Sequence, residues 1–258
     1  MARYCGGIVN MTIKDINQLN LGYPPVTIQT QYSNQILDWA GTDSKEAYQK
    51  NIKNPRFKSY VKQWDGKLTY KCNEYGFRSN ELREDQNSIV ALGCSHTFGI
   101  GLSENETYIS QLAKMLNLNY YNLGVPAGAS DTVFRIASYW IPIIKPRFVV
   151  MVAPEETRFE MRKNKNDFNV FGPNFEVTKA IHRDILETFI MNDENPKINQ
   201  QKNLLAIENI SNRYSAKFYW YDQSIMYKNG EKDLARDLQH SGPKRNNGVA
   251  QFFYRDIQ

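Results

Sequence analysis

From Ser88 onward, short apolar runs of strand length alternate with stretches whose apolar residues recur at helical spacing, and this alternation most narrows the folds open to the chain. Ser88–Gly93 is a β-branched apolar run ending in glycine, and Asn119–Gly124 and Arg147–Ala153 are further strand candidates. Between them, Ile109, Leu112, Met115 and Leu116 mark a helix within Glu106–Leu116. Ser130 or Asp131 can cap another helix that runs to about Trp140. Helical stretches at Phe175–Met191 and Ile198–Tyr214 precede a strand at Lys217–Asp222, and a terminal helix begins near Asn247. Strand-helix-strand units of this length need crossover connections, so they build a parallel sheet with helices on both faces.

The first 86 residues read differently, as short mixed segments with Pro24-Pro25 and one short helix near Ser44–Asn51. We therefore divide the 258 residues into an irregular N-terminal extension, 1–86, packed on a core domain, 87–258. Hydrophobic residues at 41% and aromatic residues at 13% supply enough apolar surface for such a core. The longest apolar stretches fall far short of the roughly 20 residues of a membrane span. A net charge of +5 is too small to signal a nucleic-acid partner. Cys5, Cys72 and Cys94 are too few and too scattered for a disulfide framework or a zinc site, so neither metal nor cofactor is expected. No apolar leader follows Met1, and the expected compartment is a reducing cytoplasm.

In parallel α/β sheets, ligands bind beyond the carboxyl ends of the strands. The first such end is Gly93-Cys94-Ser95-His96-Thr97-Phe98-Gly99-Ile100-Gly101, where glycines flank a hydroxyl residue and permit a sharp turn. This segment suits a serine nucleophile, with an ordinary turn as the competing reading. It lacks the Gly-x-Ser-x-Gly elbow, since Thr97 stands two residues after Ser95, and it lacks the Lys-Ser/Thr ending of a phosphate loop. A nucleophilic serine needs a base, and the chain has three histidines. His96 follows Ser95 directly and is expected to point away, while His182 lies mid-helix in a packed or solvated role. His240 sits in a loop with Asp237 three residues upstream, placed to fold back and hold the imidazole.

Residues 93–99 resemble the first block of the SGNH, or GDSL-type, hydrolases, Gly-Asp-Ser-x-Thr-x-Gly, and Asp237-Leu238-Gln239-His240 resembles the Asp-x-x-His block of that family. Asn122–Ser130 is similar to the second block, and Tyr75-Gly76-Phe77-Arg78-Ser79 to a lead-in found in some members. The resemblance runs from about Asn73 to the end. It implies a flavodoxin-like three-layer α/β/α domain that hydrolyses esters, often acetyl or acyl groups on sugars or lipids. Carried over, Ser95 is the nucleophile, His240 the base and Asp237 its orienter. The N–H groups of Ser95 and Gly128 are then the oxyanion donors. Cys94 replaces the aspartate of the first block, and the asparagine of the third block is missing from Pro154-Glu155-Glu156-Thr157-Arg158. A carboxylate cannot face an oxyanion, so either Arg158 supplies the lost donor or the hole works with the two N–H groups alone.

The resulting expectation is a serine esterase acting on an acetyl or short acyl ester of a small molecule, carbohydrate or lipid. The alternative is a catalytically weakened relative with a carbohydrate-binding or structural role. Lys53, Arg56, Lys58, Lys62, Lys67 and Lys71, interleaved with Phe57, Tyr60, Trp64 and Tyr70, could bind nucleic acid or sugars. A solvated basic face with aromatics packed on the core is the favoured reading of that stretch.

Overall fold

The computed structural model describes residues 32–57, 68–164, 167–173, 180–191, 194–227 and 233–258. The N-terminal portion holds strand β1 (Ile36–Leu37), helix α1 (Lys45–Lys53) and strand β2 (Tyr70–Lys71), with the two strands antiparallel. Ser44 caps α1 by accepting the Ala47 N–H at 3.1 Å, and Lys50 and Lys53 face the negative end of the helix dipole.

The core follows as β3 (Ser88–Gly93), α2 (Ser95–Phe98), α3 (Tyr108–Leu116), β4 (Asn119–Asn122), α4 (Ser130–Ile144) and β5 (Phe148–Ala153). A hairpin comes next, β6 (Phe159–Asn164) with β7 (Asp167–Phe171), then α5 (Ala180–Met191), α6 (Glu194–Arg213), β8 (Lys217–Asp222) and α7 (Pro243–Ile257). The main sheet is parallel throughout, in the order β4-β3-β5-β8.

Period-2 alternation on β3 and β5 divides the core between the two faces. Val90, Leu92, Val149 and Met151 pack with Val133, Ile136, Trp140 and Ile141 of α4 and with Leu204 and Ile207 of α6. Ile89, Ala91, Val150 and Val152 pack with Ile109 and Leu112 of α3 and with Val249, Ala250 and Phe253 of α7. Every residue of β3 and β5 is buried, which explains why both strands read as continuous apolar runs. This is a three-layer α/β/α arrangement in flavodoxin-like strand order. Its switch point lies between β3 and β5, where the chain leaves in opposite directions and opens a crevice.

Four boundaries differ from the sequence reading. Strand β4 stops at Asn122, whose side chain turns the loop by accepting the Gly124 N–H at 3.0 Å. Helix α4 continues past Trp140 to Ile144, carrying Pro142 in its last turn and ending at Lys145 in the left-handed conformation. Helix α7 starts at Pro243 instead of Asn247, with proline at the first helical position that suits it. Helix α6 begins at Glu194. The expected helix Phe175–Met191 is seen from Ala180, and residues 174–179 lie outside the described set.

The hairpin β6-β7 was not expected. It is seated by a buried network in which Arg135 of α4 binds Glu160 through Nε at 2.8 Å and Nη2 at 3.1 Å, and Thr132 donates to Glu160 at 2.6 Å. Asp131 accepts the Glu160 N–H and the Asn199 and Asn203 amides, tying the hairpin to α6. Much of the basic and aromatic stretch, including Lys58, Tyr60, Lys62, Trp64 and Lys67, lies outside the described residues. Tyr70 is fully buried and stacks on Phe98 at 5.9 Å, so it is a core residue and no platform for a base or sugar. No helix among the described residues is long and apolar enough to cross a membrane.

Candidate active site

The crevice at the switch point is floored by the turn from β3 into α2. Gly93 takes φ +150, and a Cβ there would stand 2.3 Å from Thr97 Oγ1 and 2.6 Å from the Val152 carbonyl, so only glycine fits this strand exit. Arg78, buried from solvent, closes the far end of the turn, donating to the carbonyls of Gly99 at 2.7 Å, Leu102 at 2.8 Å and Thr69 at 3.2 Å. A cation suits this place because the carbonyls at the end of α2 have no helical partners.

The loop that carries His240 is stitched to the same turn. Arg236 N–H donates to the Gly101 carbonyl at 3.0 Å, and a Cβ on Gly101, at φ +73, would lie 2.8 Å from Arg236 N. Leu238 takes φ +59, a tight reversal that lets Asp237 Oδ1 accept the N–H groups of Gln239 and His240, each at 3.1 Å. Asp237 Oδ2 receives His240 Nδ1 at 2.6 Å, and His240 Nε2 stands 2.7 Å from Ser95 Oγ. Because the Asp237 carboxylate accepts, Nδ1 carries the imidazole proton and Nε2 is free to take one from Ser95.

Burial works to raise the Asp237 pKa, but the His240 hydrogen bond, the His240 charge and Thr42 together bring it below the ordinary carboxylate value. Thr42 was not anticipated. Its hydroxyl donates to Asp237 Oδ2 at 2.6 Å across 195 positions of sequence. Its neighbour Asp43 forms a buried pair with Arg236 at 2.6 Å and also accepts the Tyr70 hydroxyl at 2.5 Å. The N-terminal portion thus holds both residues that lead into the His240 loop. No short-range signal could have shown this, since only the fold brings these segments together.

His96 does not point away. Consecutive residues on a helical turn diverge by about 100°, which leaves its ring at 4.8 Å from the His240 ring. Its Nε2 bonds the Tyr227 hydroxyl at 2.8 Å, while its buried Nδ1 has no partner among the described residues. Burial first, then the neighbouring His240, push the His96 pKa down to about 3, so the ring is neutral. His182 lies on α5, and its side chain is outside the described set.

Among the proposed oxyanion donors, the Ser95 N–H is bonded to no group among the described residues, as befits the first position of α2. Gly128 requires correction. Its N–H closes a turn onto the Val125 carbonyl at 2.9 Å, with Pro126 and Ala127 (φ +63) at the corners, and so its single proton is already committed. Arg158 sits between the end of β5 and the hairpin with its side chain 13% exposed, paired with Glu155 at 3.3 Å. Its positive charge acts to lower the pKa of both His96 and Tyr227. In the same loop Thr157 Oγ1 is buried without a partner among the described residues. No cluster of three or more His, Cys, Asp or Glu side chains among the described residues could hold a metal ion.

No family model and no curated protein matches the chain. Solved structures it resembles include a lipase/acylhydrolase from Enterococcus faecalis, at 14% identity over 66% of this chain and 95% of the other, with a TM-score of 0.37. Another is a family 3 carbohydrate esterase from Clostridium thermocellum, at 15% identity, 67% and 97% coverage and TM-score 0.37. A GDSL-like lipase from Bacteroides thetaiotaomicron matches at 12% identity, 67% and 88% coverage and TM-score 0.34. Likenesses at this level decide neither activity nor substrate, and the functional reading rests on the geometry of the crevice.

Proposed function

We propose that the protein is a serine ester hydrolase. The single observation that carries this reading is the continuous hydrogen-bonded chain from Ser95 Oγ through His240 to Asp237 at 2.7 and 2.6 Å, set at the switch point of a parallel sheet. Ser95 Oγ attacks an ester carbonyl as its proton passes to His240 Nε2, and Asp237 stabilises the resulting imidazolium. The Ser95 N–H and the Arg158 guanidinium face the developing oxyanion. His240 returns the proton to the departing alcohol, then activates a water that releases the acyl group from Ser95. A carboxylic ester with an acetyl or short acyl group, on a small molecule or carbohydrate, is the substrate class of this reading.

Labelling by a serine-directed fluorophosphonate tests it. Wild-type protein should be labelled and should hydrolyse short p-nitrophenyl esters, while Ser95→Ala and His240→Ala proteins should do neither. A specific observation favours a second reading, a binding protein of weakened activity: the Gly128 N–H is committed and no asparagine follows β5. Each missing donor costs about 10²–10³ in rate. Folded wild-type protein that resists the probe and leaves the esters intact would establish that second reading.

A further inference from the structure

Arg245 stands in the first turn of α7, where the helix dipole disfavours a cation and where no acidic residue of the helix itself balances it. Its backbone N–H is taken by Asp233 Oδ2 at 2.9 Å, yet its guanidinium has no carboxylate partner among the described residues, and its Nε is buried with no hydrogen bond. The guanidinium lies 5.6 Å from the centre of the Tyr227 ring. From there the contacts lead into the crevice: the Tyr227 hydroxyl meets His96 Nε2 at 2.8 Å, and the His96 ring meets the His240 ring at 4.8 Å. Burial of the Arg245 Nε without a hydrogen-bond partner among the described residues is costly, and an acceptor on a ligand would relieve it.

Resting on the esterase reading, we infer that the site selects esters carrying an anionic group, such as a carboxylate, a few bonds from the scissile carbonyl, with Arg245 as the residue that receives it. The neighbouring carboxylates are engaged elsewhere: Asp237 by His240 and Thr42, Glu155 by Arg158, and Asp233, which keeps its negative charge at the start of α7, by the Arg245 backbone N–H and not by the guanidinium. The charges of Arg158 and Arg245 both act to lower the His96 pKa. A neutral His96 with an open Nδ1 and the half-exposed Tyr227 line the path between the anion and Ser95 without adding a charge of their own.

Two matched ester pairs test the inference and show which side of the ester bears the charge. Mono-(p-nitrophenyl) adipate against p-nitrophenyl hexanoate places the carboxylate on the acyl group, and p-acetoxybenzoate against its methyl ester places it on the alcohol. Wild-type protein should favour the anionic member of at least one pair by about tenfold in kcat/KM, the scale of one charge-assisted hydrogen bond. Arg245→Gln should remove that preference, and Arg245→Lys should keep part of it, which separates lost recognition from a folding defect. Calorimetric binding to Ser95→Ala protein provides a readout free of turnover, and the preferred anionic ester should bind about tenfold more tightly than its neutral partner. Equal turnover of both members of each pair, or equal binding of both members by Ser95→Ala protein, overturns the inference while leaving the esterase reading intact. Selective anion binding by a protein that hydrolyses no ester would instead overturn the esterase reading and leave the anion site standing.

Discussion

Thr42 shows how much of this site depends on one hydroxyl. Asp237 is buried, and a buried carboxylate stays ionised only as long as donors surround it. Thr42→Val removes one of these donors with almost no change of shape. The Asp237 pKa should then rise, His240 should be held less firmly, and kcat should fall about tenfold, the scale of a hydrogen bond to a charged group. The acid limb of the pH–rate profile should move to higher pH, a shift that a purely structural role would not produce. Arg158→Ala tests the oxyanion assignment: kcat for a neutral ester should fall about 10²-fold with KM nearly unchanged, because the contact exists mainly in the transition state. A normal kcat in this variant would leave the Ser95 N–H as the donor, with the Thr157 hydroxyl next to be tested.

Among the elements, the segment from β1 to β2 does more than cover the core. Asp43 pairs with Arg236, whose guanidinium also lies 4.0 Å from the centre of the Trp39 ring, so one N-terminal carboxylate fixes the residue just before Asp237. Asp43→Ala strands a buried cation, and should cost about 3–5 kcal/mol of unfolding free energy, read from the urea midpoint. Asp43→Asn keeps hydrogen-bond acceptance and should cost less. The hairpin β6-β7 was legible in part, since Phe159, Glu160, Met161 and Arg162 alternate as a half-buried strand does. That four-residue pattern is short, and its placement depends on the Arg135–Glu160 pair, whose partners stand 25 positions apart.

At the scale of the whole molecule, His96 couples stability to pH. Its folded pKa is depressed to about 3, whereas an unfolded histidine titrates near 6.5. Below pH 6.5 the unfolded chain therefore binds a proton that the native state refuses, and stability falls with falling pH by about 1.4 kcal/mol per pH unit until the folded pKa is reached. Urea unfolding between pH 4.5 and 6.5, above the carboxylate range, should show this slope in wild-type protein and lose it in His96→Gln. Asp237 acts in a lower window. Its depressed pKa stabilises the native state above the ordinary carboxylate value, and that contribution disappears as pH falls through the folded value. The Asp237→Asn protein should accordingly lack this part of the acid transition.

The sequence by itself determined the sheet and its helices, because apolar periodicity is a local property and each of β3, β5, α3 and α4 must bury its own stripe. It also pointed to Ser95 and to Asp237 with His240, since a glycine-bounded turn and a three-residue carboxylate–imidazole spacing are short-range signals. Only tertiary structure decided what surrounds them. Thr42, Arg78, Tyr227 and Arg245 come from four distant segments, and the bonds that bring them to the crevice span up to 195 residues. The Gly128 N–H was misjudged for a related reason: whether an amide faces a ligand or closes its own turn depends on the φ of its neighbours, here +63 at Ala127, which residue type alone does not fix.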